Sequence, residues 1–97
     1  MTDYNVVHKD VEQKFAVELP DGEAFLRYAQ RDQMLDFFYT FVPPAGRNHG
    51  VAEHVVLAGF RYAQANGFTV KPTCPYVGTF LRRHPEFQSL ISASSSS

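Results

Sequence analysis

Two short stretches carry residue types that can do chemistry. The first is Arg47-Asn48-His49-Gly50-Val51-Ala52, a turn that opens straight into a helix-forming run. Such a turn leaves the first backbone N–H groups of the helix without carbonyl partners, at the positive end of the helix dipole. That arrangement suits an anion. Gly50 permits close backbone approach, small Ala52 leaves room, and Arg47 adds a guanidinium fork. The second stretch is Cys74-Pro75-Tyr76. Pro75 suits the first turn of a helix, and a helix N-terminus favours the thiolate of an adjacent cysteine. Cys74 is thus a candidate nucleophile, and a small buried apolar residue is the other reading open to it. Tyr39 and Tyr76 read first as core or rim residues; a phenol that titrates near pH 10 suits a general acid better than a base. His49 and His54 are five positions apart and share a helix face poorly, so no metal site is expected.

The elements that must hold these stretches follow from periodicity. YNVVHK, residues 4–9, is rich in β-formers and reads as a short edge strand. In Lys14–Leu19, Phe15, Val17 and Leu19 alternate with Lys14, Ala16 and Glu18, the period of a half-buried strand. Pro20-Asp21-Gly22 is a hairpin signal. Glu23–Gln30 then places Ala24, Leu26 and Tyr28 on one face, and Arg31-Asp32-Gln33 turns the chain again. An antiparallel meander over residues 14–42 is the simplest reading. Met34–Val42 is apolar on both faces, with Leu35, Phe37, Tyr39 and Phe41 on one and Met34, Phe38 and Val42 on the other. A strand of this kind is expected to be covered on both sides.

Pro43-Pro44 ends that strand. Val51–Asn66 carries a broad apolar stripe and stops at Gly67, which predicts the main helix. Phe68–Thr73 reads as a second short strand. Strand, helix and strand make a right-handed crossover, so the two strands are parallel. Pro72 removes a ladder donor. The parallel strands are therefore expected to splay apart near Val42 and Pro72, leaving a gap at their carboxyl ends where open sheets bind ligands. A helix from Pro75, with Val77, Phe80, Leu81 and His84 at helical spacing, and a last turn over Pro85–Ile91 follow. The fold class is α+β: a meander leading into a parallel βαβ unit with splayed strands. Residues 1–91 read as a single domain, and the Ser-rich 92–97 as a disordered tail.

Composition narrows the class of partner. The chain has 97 residues, with nine Phe, five Tyr, no Trp and a net charge of −1. A domain of this size buries roughly 60–65% of its unfolded surface. Interspersed charge gives no basic footprint for nucleic acid. A single Cys cannot form an internal disulfide, which points to a reducing compartment. MTDYNVVHKD has no apolar signal core, and no apolar run approaches the roughly 20 residues of a membrane span. The expectation is a cytoplasmic protein without membrane contact, a monomer or, through exposed Phe residues, a weak dimer.

With these residues in place, the chain resembles the GNAT acetyltransferase superfamily, in its short single-domain branch. Arg47, Gly50 and Ala52 match the Arg/Gln-x-x-Gly-x-Gly/Ala signature that cradles the pyrophosphate of coenzyme A. The branch's strand and helix boxes match at Phe15-Ala16-Val17, Ala24-Phe25-Leu26-Arg27-Tyr28, Thr40-Phe41-Val42-Pro43, Cys74-Pro75-Tyr76-Val77 and His84-Pro85-Glu86. Two places depart from it. Tyr39 stands where members often have His, and Asn48 and His49 stand where basic or Gly residues are common. The resemblance implies acetyl-CoA as co-substrate and an amine acceptor, either a protein lysine or N-terminus or a small amine. It places Arg47, Asn48, His49, Gly50, Val51 and Ala52 on the pyrophosphate, Phe41 and Val42 along the strand end, and Cys74 beside the thioester. There Cys74 either accepts the acetyl group or lines the site. Tyr76 would protonate the departing thiolate, and the backbone N–H of Val42 would hold the developing oxyanion. The competing reading is a coenzyme A-binding module without transfer activity that acts through a protein partner. Neither reading calls for a metal.

Overall fold

Alternating apolar residues build one five-stranded sheet whose strands lie in chain order. The computed structural model describes residues 5–47 and 50–91. Tyr4 of the first expected strand and the Ser-rich end lie outside the described residues. The strands are β1 (Val7–Lys9), β2 (Lys14–Leu19), β3 (Gly22–Arg31), β4 (Met34–Phe41) and β5 (Thr69–Lys71). Helix α1 spans Val51–Asn66 and α2 spans Pro75–Arg83, with 3-10 turns at Pro44–Gly46 and Pro85–Leu90. β1 to β4 form the antiparallel meander. The β2–β3 hairpin closes through Pro20 and Asp21, with Leu19 opposite Gly22. The β3–β4 hairpin closes through Asp32, at φ 52°, and Gln33; Asp adopts this left-handed region more readily than most residues. β5 returns from α1 to pair parallel with β4, Leu35 opposite Val70. Ile91 adds a parallel bridge to Val70.

The core lies on one face of the sheet. Phe15, Val17, Ala24, Leu26, Leu35 and Phe37 share a buried cluster with Val51, Val55, Val56, Phe60 and Ala63 of α1. Gly59 lets α1 settle on the sheet: a Cβ there would come within 2.9 Å of both Leu26 Cδ2 and Phe37 Cζ. Phe60 stacks on Phe80 of α2 and on Phe87 of the last turn, each at 5.3 Å between ring centroids. The stacking puts both helices and the last turn on the same side of the sheet. Of the last turn, Phe87 is buried, while Leu90 and Ile91 are only half-buried.

Strand β4 corrects the expectation of a strand covered on both faces to its end. Tyr28 lies opposite Phe37, but Arg27 lies opposite Tyr39, so Phe38 is an extra residue in the ladder. A bulge of this kind inverts the alternation beyond it. Thr40 comes to lie opposite buried Leu26, on the core face, and Tyr39 opposite exposed Arg27. Tyr39 and Phe41 therefore do not share a face with Leu35 and Phe37. Phe38 is 41% exposed and Tyr39 48%. A period of two read along a sequence carries no mark of an inserted residue. Strand β5 is also shorter than the run Phe68–Thr73 and stops just before Pro72, as a missing ladder donor requires. Among the described residues, no helix is long and apolar enough to cross a membrane.

Candidate active site

The chain reaches α1 through a tightly held corner. Past the end of β4, the Gly46 N–H donates to Pro43 O at 3.0 Å and the Arg47 N–H to Pro44 O at 3.2 Å. Arg47 Nε donates to Val42 O at 3.0 Å, which ties the guanidinium to the end of the strand. Gly50 occupies the N-cap at φ 76°, and no side chain caps the helix. The His54 N–H makes the 3.2 Å bond to Gly50 O that opens the helical ladder. The N–H groups of Val51, Ala52 and Glu53 precede that ladder, as at any helix start. His54 Nδ1 lies 2.8 Å from the same Gly50 carbonyl, so its ring folds back on the helix start. Asn48 and His49 lie outside the described residues.

A cavity of about 440 Å³ opens on this corner. Val42, Gly46, Arg47 and Gly50 line one part of it, the first turn of α1 (Val51, Ala52, Glu53) another, and Tyr76 and Arg83 of α2 close it. Burial raises the Tyr76 phenol above its ordinary pKa, the Glu53 carboxylate adds to the rise, and Arg83 works against it. The phenol thus holds its proton at neutral pH. Glu53 is itself engaged: its Oε2 lies 2.5 Å from His84 Nε2, and its Oε1 lies 3.8 Å from Arg83 Nη1. The His84 ring stacks on Phe80 at 4.3 Å.

Strands β4 and β5 do part. Parallel pairing ends at Asp36 opposite Lys71. Thr73 Oγ1 then donates to Asp36 Oδ1, and the Cys74 N–H donates to Phe37 O at 2.8 Å. Beyond Phe37 the chain turns into α2, while β4 runs on through Phe41. The strands separate at Pro72 as expected, but on the β4 side at Phe37, well before Val42. Cys74 sits where they part. It is 7% exposed, it is the N-cap residue of α2, and its Sγ lies 3.4 Å from Thr40 Oγ1.

The structure thus brings Val42, Arg47, Gly50, Val51, Ala52 and Tyr76 to one cavity, and sets Cys74 at the head of the helix that closes it. It does not bring Tyr39 there. The Tyr39 ring lies on the opposite face of the sheet, 5.9 Å from Phe25. The Phe41 ring packs on Phe25 at 5.7 Å, and Phe41 is not among the residues that line the cavity. Three site residues were missed from sequence. Thr40 had a signal in Thr40-Phe41-Val42-Pro43, but the unbulged period put it on the wrong face. Glu53 and Arg83 had no local signal, because their pairing joins the start of one helix to the end of another. Among the described residues, no group of three or more His, Cys, Asp or Glu is placed to hold a metal. A second cavity of about 430 Å³ lies between the β1–β2 turn and Phe25 and Arg27 of β3. Its Lys14 is already engaged by Glu12 at 3.2 Å and Glu23 at 2.6 Å.

The family model for GCN5-related N-acetyl-transferase matches residues 14–90. A GCN5-like protein from Staphylococcus aureus, solved in solution by NMR, is similar in fold. The likeness has a TM-score of 0.67 at 16% identity and covers 95% of this chain and 91% of that one. The family match runs from β2 to the end of the last turn and takes in the Arg47–Ala52 corner, the parted strands and the α2 start. The chain therefore belongs to the GCN5-related N-acetyltransferase family, and it is an acyltransferase of the α+β fold described above.

Proposed function

We propose that the protein transfers an acetyl group from acetyl-CoA to a primary amine. One observation carries this reading: the uncapped, glycine-started helix α1 and Arg47 open on the same cavity as Tyr76. The N–H groups of Val51 and Ala52 and the Arg47 guanidinium hold the diphosphate of coenzyme A, which supplies the thioester. The free edge of β4 guides the thioester towards Thr40 and Cys74. The neutral amine attacks the carbonyl carbon; a C–N bond forms and the C–S bond breaks. The Val42 N–H, past the end of β4, stabilises the oxyanion that develops on the way. Tyr76 gives its proton to the departing thiolate, and the excess proton of the amine passes to water. Orientation supplies much of the acceleration. Tyr39, on the far face, takes no part.

Cys74 lines the thioester end in this reading. No cation or imidazole is paired with its Sγ among the described residues, and the Thr40 hydroxyl is its one polar partner there. Activated cysteines ordinarily have such a charged neighbour, so direct transfer to the amine is favoured over an acetyl-cysteine step. Family membership favours transfer over mere binding of coenzyme A. The test pairs thermal unfolding with and without acetyl-CoA with a thiol-release assay on lysine peptides and polyamines. Ligand at 100 times its Kd stabilises by about 2.7 kcal/mol. A clear rise in Tm and amine-dependent thiol release are expected. An unchanged Tm at millimolar acetyl-CoA would refute the reading.

A further inference from the structure

We propose that Glu53 stands in for the donor's diphosphate in the free protein, and that Arg83 is the cation it gives up when the donor binds. The proposal rests on the donor reading above. It assigns Arg83 as the residue that selects a diphosphate-bearing thioester.

A carboxylate on the first turn of α1 is well placed for the helix dipole. The same N–H groups are the seat proposed for the diphosphate, and Glu53 lines that cavity. A fixed negative charge there repels a polyanion unless its own field is compensated. The compensation is asymmetric. His84 lies 2.5 Å from Oε2, is 22% exposed, and is fixed by stacking on Phe80. Arg83 lies 3.8 Å from Oε1, too far for a close hydrogen bond, and its side chain is 69% exposed. The histidine is thus the rigid partner and the arginine the movable one.

Among the described residues, Glu53 is the one carboxylate within 4 Å of the Arg83 guanidinium, and both line the cavity that also holds Arg47. An incoming diphosphate meets Arg47 at the corner and Arg83 on the α2 wall. Arg83 turns from carboxylate to phosphate, where bidentate charge-assisted bonds are available. Glu53 stays with His84. A ligand without the diphosphate cannot make this exchange, so it gains nothing from Arg83. The two residues therefore act with opposite sign on the same ligand.

The experiment is calorimetric titration of the full chain with coenzyme A, 3′-dephospho-coenzyme A and pantetheine. It compares the wild type with Arg83→Ala, Arg83→Lys and Glu53→Gln, each first checked for a cooperative thermal transition. Arg83→Ala should weaken coenzyme A and its 3′-dephospho form alike, by about tenfold, and Arg83→Lys should recover part of the loss. Glu53→Gln should tighten both by a few-fold. Pantetheine should not discriminate among the four proteins. The proposal is overturned if Arg83→Ala binds coenzyme A as the wild type does. It is equally overturned if the penalty disappears with the 3′-dephospho ligand, or if Glu53→Gln weakens binding. Failure of the wild type to bind coenzyme A would remove the donor reading itself. That outcome is distinct from wild-type binding with a silent Arg83→Ala.

Discussion

Thr40 Oγ1 lies 3.4 Å from Cys74 Sγ, although 34 positions separate the two residues. The contact depends on the extra residue Phe38, which turns Thr40 to the core face of β4. Incubation with acetyl-CoA in the absence of amine should leave the intact mass of the protein unchanged, and Cys74→Ala should keep most of the amine-acetylating activity. An added acetyl group that Cys74→Ala abolishes, together with loss of turnover, would make Sγ the first acceptor.

Tyr76 faces the cavity with its pKa raised by burial and by Glu53. Its proton is available across the physiological range. Tyr76→Phe should lower kcat by 10²–10⁴, the usual worth of a general acid, with little change in the Kd of coenzyme A. A kcat within twofold of wild type, measured at pH 7, would take the proton-donor role away from this phenol.

Glycine in a helix interior ordinarily costs about 1 kcal/mol relative to alanine, so propensity alone has Gly59→Ala stabilise α1. Here the added methyl would meet Leu26 Cδ2 and Phe37 Cζ, both at 2.9 Å. Overpacking of this kind costs about 1–3 kcal/mol. We expect a net loss of stability, read as a lower urea midpoint with an unchanged slope. A gain would mean that α1 can lift from the sheet at no cost.

His8 anchors edge strand β1. Its ring stacks on Phe15 at 4.3 Å and meets Tyr62 edge-on at 4.4 Å, with Nε2 2.5 Å from the Tyr28 hydroxyl. Desolvation lowers its pKa from the ordinary 6.5, and Asp10 only partly opposes this. The folded state therefore binds fewer protons than the unfolded state just below pH 6.5. The stabilising contribution of His8 is complete above that pH and declines as the pH falls towards the lowered value. Glu23, depressed by Lys14 and then Lys9 from its ordinary 4.5, gives a second loss at lower pH. Thermal melts from pH 7.5 to 5 should show Tm falling below 6.5 in the wild type and a flatter profile in His8→Phe. Equal slopes would remove His8 from the account.

Much of this molecule is legible in its sequence, and the reasons are local. Helix α1 runs over Val51–Asn66 as its stripe predicts, because Gly50 and Gly67 supply the left-handed residues at its two ends. β5 stops at Lys71 because Pro72 cannot donate. The meander follows from Pro20-Asp21-Gly22 and Asp32-Gln33. Features set by tertiary structure were hidden. The Phe38 bulge inverts the faces of Thr40 and Tyr39, and nothing local marks it. The pairing of Glu53 with His84 and Arg83 depends on where α2 ends relative to where α1 begins. A charged residue on a helix carries no record of its partner.

The central claim places the donor at the start of α1, with its thioester between β4 and α2. Backbone amide shifts during a titration with coenzyme A test it most directly. The account predicts the largest shifts at Gly50, Val51, Ala52 and Glu53, at Thr40 and Val42, and at Cys74 and Tyr76. Shifts confined to Val11, Glu12, Lys14, Phe25 and Arg27, with the first turn of α1 unmoved, would contradict it.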